Sequence, residues 1–193
     1  MSPESRDSSA VLDRYRSYLL LLARAQLDPR KGDRVEASDI VQQTLLEAHE
    51  KQEQFRGQTQ AQQAVWLRKI LANNLADAFR GIGRAKRDIA RERSLDASIN
   101  ESSMRLGNLL ADDQSSPSQH MDGEERALRL ADALAELPEP QREALVLQYW
   151  QGWSLSQIAE HLNRTPVAVA GLLKRALRQL REHLCQPADE HSR

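Results

Sequence analysis

The chain has 193 residues, of which 40% are hydrophobic, 28% are charged and 4% are aromatic, and its formal net charge is −1 at pH 7. That length allows one domain or two small ones, and the composition is normal for a soluble helical protein. The near-neutral charge argues against a protein that binds nucleic acid tightly without help. A single cysteine excludes an internal disulfide and indicates a reducing compartment.

Metal binding and membrane insertion are also not expected from the sequence. The five histidines are scattered, and none has ligand spacing to Cys185. The apolar run from 19 to 23 is too short to cross a membrane, and it lacks the layout of a signal peptide. We therefore expect a cytoplasmic protein with no metal and no membrane span.

The first two predicted helices have apolar residues at helical period. One runs from 10 to 27 and ends before Asp28 and Pro29. The second starts after Ser38, which we predict to be its N-cap. Its predicted inward face consists of Ile40, Val41, Leu45 and Ala48. Its opposite face is rich in amides and carboxylates and consists of Asp39, Gln42, Gln43 and Glu47.

A third predicted helix follows the loop that starts at Phe55, and Thr59 and Gln62 have the spacing of a capping box at its start. Its predicted buried stripe consists of Leu67, Leu71, Leu75 and Ala78. A separate stripe consists of Trp66, Lys69, Asn73, Asp77 and Arg80. Two interpretations fit this second stripe. It could bind stacked single-stranded bases and phosphates, or Trp66 could be a core residue beside a solvated face, and the pattern alone favours the core residue.

Charge is segregated along the chain. Lysine and arginine outnumber acidic residues eight to three from 66 to 93, whereas acidic residues outnumber basic ones seven to one from 95 to 125. The acidic stretch has few apolar residues and no sustained period, so we predict a flexible linker over 94–125. The linker would join two small helical domains, over 10–93 and 126–184. Because no segment has a convincing strand period, the predicted fold class is all-α.

The clearest motif is a helix-turn-helix between 154 and 181. Ser154 and Gln157 have capping-box spacing, Thr165 offers an N-cap oxygen, and Pro166 suits the first helical position. The predicted apolar face of the first helix consists of Leu155, Ile158, Ala159 and Leu162. The predicted inward face of the second consists of Val169, Leu172, Leu173, Ala176, Leu177 and Leu180.

The outward face of that second helix combines small residues near its start with cations further along. It consists of Val167, Ala170, Gly171, Lys174, Arg175 and Arg178. Small residues allow close approach to a groove floor, and the cations can reach phosphates or base edges. An ordinary surface helix with a solvated basic face is the alternative. The cap, the turn and the proline together favour DNA binding.

No catalytic motif is present in the sequence. It contains no phosphate-binding glycine loop, no nucleophile elbow and no paired-histidine zinc motif. Cys185 lies in a polar tail without a neighbour that would activate it. We therefore expect a protein that is not an enzyme and uses no cofactor.

Several runs resemble the extracytoplasmic-function (ECF) subfamily of sigma-70 factors, the promoter-specificity subunits of bacterial RNA polymerase. Region 2 of that family is similar to DIVQQTLLEA from 39 to 48, FRG from 55 to 57 and WLRKILANN from 66 to 74. Region 4 is similar to LPEPQR from 137 to 142 and GWSLSQIA from 152 to 159. The resemblance covers both predicted domains in the order of the family, and it implies a subunit that is not itself an enzyme.

The resemblance also implies roles for the residues. Asp39, Gln42, Gln43 and Glu47 match the helix that docks on the clamp helices of the largest polymerase subunit. Phe55, Trp66, Lys69, Asn73 and Arg80 fall in the part that binds the minus-ten element, with Phe55 near a flipped base and Asn73 at a base-reading position. Residues 166–178 match the helix that enters the minus-35 major groove. An anti-sigma factor is a further class of partner that the resemblance implies.

One departure concerns base reading at the minus-35 element. The family often has Ser-Arg where this chain has Gly171 and Leu172, so the resemblance implies no particular minus-35 sequence. Two modest basic patches beside an acidic linker predict weak binding to promoter DNA by the chain alone. Polymerase would raise the effective concentration of both domains.

Two other classes of function remain open from the residues. One is a stand-alone helix-turn-helix regulator, which would dimerise on a palindrome and use residues 1–93 as a sensor or dimerisation domain. The other is a helical adaptor that binds no promoter. Titration of the free protein onto DNA at moderate salt separates these classes, since strong binding without polymerase favours the stand-alone regulator.

Overall fold

The computed structural model describes residues 11–31, 35–81, 88–108 and 123–185, and these ranges contain helices and short 3-10 turns but no strand. The predicted all-α class is confirmed. The α-helices whose bounds lie within the described residues are, in chain order, α1 (Arg16–Gln26), α2 (Ala37–Glu50), α3 (Gln60–Gly81), α4 (Asp88–Asn108), α5 (Gly123–Glu136), α6 (Glu139–Tyr149), α7 (Leu155–His161) and α8 (Pro166–Cys185). Within these ranges, no helix has the length and apolar character that crossing a membrane requires.

Helices α1 to α4 form an N-terminal group with an apolar interior. The largest fully buried side chains in this group are Tyr18, Leu19, Leu22, Leu67, Leu71, Leu75, Ile99 and Leu106. The residues predicted to face inward on α2 are buried, and so is the predicted stripe on α3 apart from the half-buried Ala78. Periodicity therefore identified the inward faces of both helices.

Two helix starts differ from the predictions. The predicted 10–27 helix is broken by a turn at 14–15, and α1 begins at Arg16. The prediction that Ser38 is the N-cap of α2 was wrong, because the helix starts at Ala37. Its N-cap is Glu36, whose side chain makes no capping hydrogen bond. The Glu36 carbonyl already accepts bonds from the amides of Asp39 and Ile40, at 3.1 and 3.3 Å, which places Ser38 inside the first turn.

Helix α4 corrects the flexible linker predicted over 94–125. Residues 94–108 are helical, and Leu95, Ile99 and Leu106 are buried. Two serines, Ser102 and Ser103, occupy inward positions between these apolar residues and interrupt the apolar period of the sequence. Both are hydrogen-bonded: Ser103 Oγ lies 2.8 Å from the Tyr18 hydroxyl, and Ser102 Oγ accepts from Gln26 Nε2 at 3.2 Å. The remainder of that predicted linker up to 122 lies outside the described residues, and α5 begins at Gly123.

Helices α5 to α8 form a C-terminal group. Helix α5 buries Ala127, Leu130, Ala131 and Leu134. The chain then turns at Pro138, which is the N-cap of α6, and Gly152 takes the left-handed conformation, with φ of 67°, in the connection to α7. Such a conformation favours glycine because a Cβ would be strained there.

The two groups share one continuous apolar core. Helix α5 packs against α1, α3 and α4, and α6 packs against α1. Trp150 is buried at this contact, and its indole nitrogen donates to the Ser102 carbonyl at 3.2 Å. We call the contact between the N-terminal and C-terminal groups the junction.

Candidate nucleic-acid interface

The helix-turn-helix has the local geometry that its sequence predicted. Ser154 Oγ accepts from the Gln157 amide and the Gln157 side chain accepts from the Ser154 amide, which is a complete capping box. Helix α7 then closes with a bond from the Arg164 amide to the Ala159 carbonyl at 2.8 Å. Asn163 lies between them with φ of 51°, as a helix-ending motif with a left-handed residue requires. These features fix the turn between α7 and α8.

Helix α8 begins where the sequence predicted. Pro166 is its first residue, and Thr165 Oγ1 accepts from the Ala168 amide at 3.2 Å. Its predicted inward residues are buried, except that Leu177 is half-buried. On α7, Ile158 and Ala159 are buried and Leu162 is half-buried, but Leu155 is exposed, which corrects its predicted inward position.

The outward face of α8 is accessible from Val167 to Arg178. Val167 is 83% exposed, the highest value among the large hydrophobic residues that the structure describes as exposed. Ala170, Lys174, Arg175 and Arg178 are exposed as well, and Gly171 is intermediate. An apolar tip followed by cations about one turn later can approach a groove floor while the cations reach phosphates.

The cations of this face are held only loosely by the protein. Arg178 Nε lies 3.8 Å from Glu182 Oε1, and both side chains are about two-thirds exposed. The Arg175 guanidinium lies over Gly171, where a Cβ would come within 3.3 Å of Nη1. Exposed pairs of this kind contribute little to stability, so these side chains can be redirected towards a polyanion at low cost.

The second candidate face lies on α3. Lys69, Asn73, Asp77 and Arg80 are exposed along it, and Arg80 forms an ion pair with Asp77. Trp66 does not belong to the open part of that stripe, because it is half-buried and packs against the core. The structure therefore gives Trp66 a packing role at the edge of the exposed face.

An aromatic pair joins the loop before α3 to this edge. The rings of Phe55 and Trp66 have centroids 5.0 Å apart and are inclined by 30°. Gly57 makes the arrangement possible, since a Cβ there would overlap the Phe55 ring and come within 2.9 Å of Gln62 Cβ. Gln62 in turn completes the predicted capping box, accepting from the Thr59 amide while its own amide donates to Thr59 Oγ1, both at 3.2 Å.

The polar face of α2 is exposed at three of its four predicted positions, namely Asp39, Gln42 and Gln43. Glu47 is intermediate and is engaged within the fold. Its carboxylate accepts from Lys51 Nζ at 2.5 Å and from Asn74 Nδ2 at 3.1 Å. Glu47 thus contributes to holding α2 against α3.

Sequence patterns assigned no role to Arg68, which is a buried cation with several hydrogen-bond partners. Its guanidinium bonds Tyr18, Asn100, Ser103 and Glu124. Burial raises the pKa of Tyr18 to about 12, so its hydroxyl stays neutral beside the cation. The sequence signal was a cation inside the apolar period of α3, one position after Leu67. Elsewhere in the described ranges, no three His, Cys, Asp or Glu side chains group so as to hold a metal ion.

An all-α chain with a capped helix-turn-helix and an exposed basic second helix defines a class of DNA-binding protein. The family description Sigma-70, region 4 matches residues 127–180, which include α6, α7 and most of α5 and α8. The chain is 33% identical over 150 residues to the ECF RNA polymerase sigma factor SigL of Mycobacterium tuberculosis, covering 78% of this chain and 75% of SigL. The chain belongs to the ECF family of RNA polymerase sigma factors.

Two further similarities extend over more of the chain. It is 32% identical over 197 residues to the ECF RNA polymerase sigma factor SigG of Mycobacterium tuberculosis, a match that covers 96% of this chain and 51% of SigG. Among solved structures, it is similar to the sigma factor RpoE in complex with the anti-sigma factor NepR from Bartonella quintana. That match has 22% identity and a TM-score of 0.33, and covers 95% of this chain and 98% of RpoE.

Proposed function

We propose that this chain acts as a promoter-specificity subunit that binds core RNA polymerase, recognises minus-35 and minus-ten DNA and assists strand opening. The observation that carries the proposal is the accessible, cation-bearing face of α8 in a chain of the ECF family. The chemistry of RNA synthesis would belong to the polymerase, and the subunit itself would be no enzyme. The stand-alone regulator is not favoured, because the relatives are named as polymerase sigma factors.

In this proposal α8 enters the minus-35 major groove. Lys174, Arg175 and Arg178 neutralise phosphates, which supplies affinity without sequence preference. Val167 and Ala170 meet base edges at the tip of the helix, where Gly171 lets the backbone come close. Aliphatic side chains offer no hydrogen bond, so their partner in the groove would be the C5-methyl group of thymine.

The minus-ten element would contact the edge between the loop at Phe55 and the exposed face of α3. Asn73 presents an amide that can bond the edge of an unpaired base, and Lys69 and Arg80 lie on the same face to meet phosphates. The Phe55–Trp66 pair would support a base extruded from the duplex, with Phe55 as the movable outer ring. This arrangement suits a single strand better than a duplex.

Core polymerase would dock on the polar face of α2, with its largest subunit's clamp helices as the partner. Asp39, Gln42 and Gln43 are exposed for this purpose, whereas Glu47 would contribute indirectly by fixing α2 against α3. An anti-sigma factor is a second proposed partner of the chain. The net charge of −1 agrees with a subunit that needs polymerase to bind promoter DNA.

The proposal is tested by a pull-down with core polymerase, followed by run-off transcription on promoters selected from a randomised library by the assembled holoenzyme. We expect transcription only when the chain is present. Strong and specific DNA binding by the free chain at moderate salt would instead identify a stand-alone regulator. Failure to bind both polymerase and DNA would leave an adaptor.

Residue-level docking is tested by replacing Asp39 and Gln42 together with alanine. Both side chains are exposed on a helix whose opposite face is buried, so we expect unchanged helicity and weaker binding to core polymerase. Glu50→Ala, on the same helix and also exposed, is the matched control. Equal affinity of the double variant and the control would remove α2 from the docking surface.

A further inference from the structure

The seam between α2 and α3 contains a polar network centred on Asn74. Its Nδ2 atom lies 3.1 Å from Glu47 Oε2 and 3.3 Å from Thr44 Oγ1, so one amide of α3 bonds two side chains of α2. Thr44 is fully buried and Asn74 is half-buried. We call Thr44, Glu47 and Asn74 the seam network. No sequence pattern assigned a role to Asn74.

The hydrogen bonds of the seam network allow only one polarity. An ionised carboxylate accepts hydrogen bonds and cannot donate one, so Glu47 must face the NH2 group of Asn74. The Thr44 hydroxyl donates to the Ile40 carbonyl at 2.7 Å, which leaves its oxygen to accept from Asn74. Lys51 Nζ donates to the other carboxylate oxygen of Glu47 at 2.5 Å. The orientation of the Asn74 amide is therefore fixed from the α2 side.

Two exposed faces adjoin the seam network. On α2, Gln43 precedes Thr44 and is exposed on the face proposed to dock on polymerase. On α3, Asn73 precedes Asn74 and is exposed on the face proposed to bind unpaired bases. Consecutive residues of an α-helix differ in direction by about 100°. The seam network is therefore next to both the docking face and the base-reading face.

Apolar packing alone would define the rotation of α3 against α2 less well. Burial of apolar surface has no directional preference, whereas a hydrogen bond weakens steeply as its angle departs from linear. A rotation of α3 would move Asn74 Nδ2 away from Thr44 and Glu47 together. A satisfied polar network in a partly buried site specifies one arrangement of the helices that it joins.

We propose that Asn74 is a positioning residue for strand opening, because the seam network holds Asn73 in the orientation that meets an unpaired base once α2 has docked on polymerase. This inference rests on the proposed function. Docking sets the place of α2 on polymerase, and the seam network transmits that placement to α3. Asn74 acts through Asn73, since its own amide nitrogen is engaged with α2.

The main test variant is Asn74→Leu, because leucine has the same number and branching of side-chain atoms as asparagine but cannot donate a hydrogen bond. A second variant combines Thr44→Val with Asn74→Leu. Replacing both partners of a hydrogen bond by apolar groups of similar shape can be nearly neutral for stability. This apolar double variant keeps the test valid if Asn74→Leu alone fails to fold, and Glu47 retains Lys51 as its partner.

The matched control is Gln26→Met, which removes a half-buried amide between α1 and α4. Gln26 Nε2 donates to Ser102 Oγ at 3.2 Å, and Gln26 Oε1 accepts from Ser98 Oγ at 2.8 Å. Like Asn74, this side chain joins two helices of the N-terminal group through two hydrogen bonds. Neither of its helices carries a face proposed to bind polymerase or DNA. We expect Asn74→Leu and Gln26→Met to lower the melting temperature by similar amounts.

Three assays on the holoenzyme separate docking, binding and opening. A pull-down measures binding to core polymerase, filter binding measures the closed complex, and permanganate reactivity of unpaired thymines measures strand opening. We expect the first two to stay near the parent value in all variants. Asn74→Leu and the apolar double variant should reduce opening about fivefold, which corresponds to one lost hydrogen bond to a base. Gln26→Met should open the promoter as the parent does.

A double-mutant cycle tests whether Asn74 acts through Asn73. Asn73→Ala removes the amide that Asn74 positions, so adding Asn74→Leu to it should cause no further loss of opening. Two independent roles would instead multiply to a loss of about 25-fold. The cycle thus distinguishes a positioning residue from a second residue that contacts DNA.

Four results would overturn the positioning role while the parent still binds polymerase and opens promoters. They are normal opening by Asn74→Leu, recovery of opening in the apolar double variant, an equal loss of opening in Gln26→Met, and independent losses in the double-mutant cycle. The proposed function stands in each of these cases. If the parent chain neither binds core polymerase nor supports run-off transcription, the proposed function fails and the positioning role fails with it.

Discussion

The exposed faces of α8 and α3 differ in charge and in their aromatic neighbours, and we propose that they bind different states of DNA. The α8 face has three exposed cations within about one turn, and Arg178 lies 3.8 Å from the acid Glu182 in a pair whose side chains are about two-thirds exposed. The α3 face places an amide, Asn73, between Lys69 and an ion pair of Asp77 with Arg80. The first face maximises attraction to phosphates. On the α3 face one of the two cations is paired with Asp77, and an aromatic pair lies beside the face, which suits unpaired bases.

In the proposed function, affinity for duplex DNA and strand opening are located on separate helices of one small chain. A duplex is held by neutralised phosphates, whereas an opened strand is held by stacking and by bonds to base edges. Changes on α8 should therefore alter the salt dependence of binding. Changes near α3 should alter the step after binding.

The largest expected effect comes from removing two cations of the α8 face together, Lys174→Ala with Arg178→Ala. Each phosphate contact changes the salt slope by about 0.9, so two lost contacts should lower holoenzyme affinity about fiftyfold at 0.1 M salt. The loss should be the same on promoter and scrambled minus-35 duplexes. Titrations across a salt series measure both the affinity and the slope.

The matched control removes two cations elsewhere, Arg16→Ala with Arg129→Ala, which are exposed and paired with acids of their own helices or turns. It carries the same change in net charge. If the control weakens binding as much as the α8 variant, the effect is one of overall charge, and the contrast between the two faces is lost.

Sequence patterns predicted the α8 face far better than the junction, for a physical reason. Ser154, Gln157, Thr165 and Pro166 act within a few residues of each other, so their spacing alone indicates their bonds. The Arg68–Glu124 pair joins residues 56 apart in sequence. No local pattern specifies which of the many acidic residues meets a buried arginine.

Helix α4 was missed for a related reason. Its inward positions alternate between Leu or Ile and the serines Ser102 and Ser103, whose hydroxyls find partners on α1. Burying a serine hydroxyl costs free energy unless the hydroxyl finds a hydrogen-bond partner. Which residue supplies that partner depends on the fold and cannot be read from the local sequence. Trp66 is a different case: its spacing allowed both an exposed stripe and a core position, the pattern favoured the core, and the structure shows the ring half-buried against the core.

The next largest effect is expected from Gly57→Ala in the loop before α3. The added methyl group would overlap the Phe55 ring, and the ring must leave its position against Trp66. Loss of one base-stacking surface should reduce open-complex formation about tenfold, while closed-complex binding stays near the parent value. Permanganate reactivity of unpaired thymines measures opening, and a filter-binding assay measures the closed complex.

Gly123→Ala is the control for that substitution, because a Cβ there would meet only Arg126 Nη2, at 4.0 Å. It should leave both steps unchanged. Normal strand opening by Gly57→Ala would show that the Phe55–Trp66 pair is a packing feature with no part in opening.

A smaller effect is expected from Asn73→Ala on the exposed face of α3. Its amide is exposed, so the substitution should not disturb the fold, where surface changes usually cost within about 0.5 kcal/mol. Loss of one bond to an unpaired base should reduce open-complex formation about fivefold. Lys69→Ala, on the same face, should instead weaken closed and open complexes alike because it removes the proposed phosphate contact. Equal losses in both complexes for Asn73→Ala would give that residue the same role as Lys69.

The smallest expected effect tests whether α8 also reads sequence. Val167 is 83% exposed at the tip of the helix, where its methyl groups gain little from the protein and are free to contact a thymine methyl group. Burial of one methyl group corresponds to about fourfold in affinity. We therefore expect Val167→Ala to weaken holoenzyme binding about fourfold at selected minus-35 elements that contain thymine.

Replacing each minus-35 thymine by deoxyuridine removes the methyl group while keeping every hydrogen bond of the base pair. At one position this replacement should weaken the parent about fourfold and leave Val167→Ala unaffected, because the partner methyl groups are already gone. A double cycle of protein and DNA changes therefore isolates the contact from general effects on the helix. If both proteins respond equally to deoxyuridine at every position, or if selection returns no thymine on either strand, Val167 reads no base, and the α8 face supplies affinity alone.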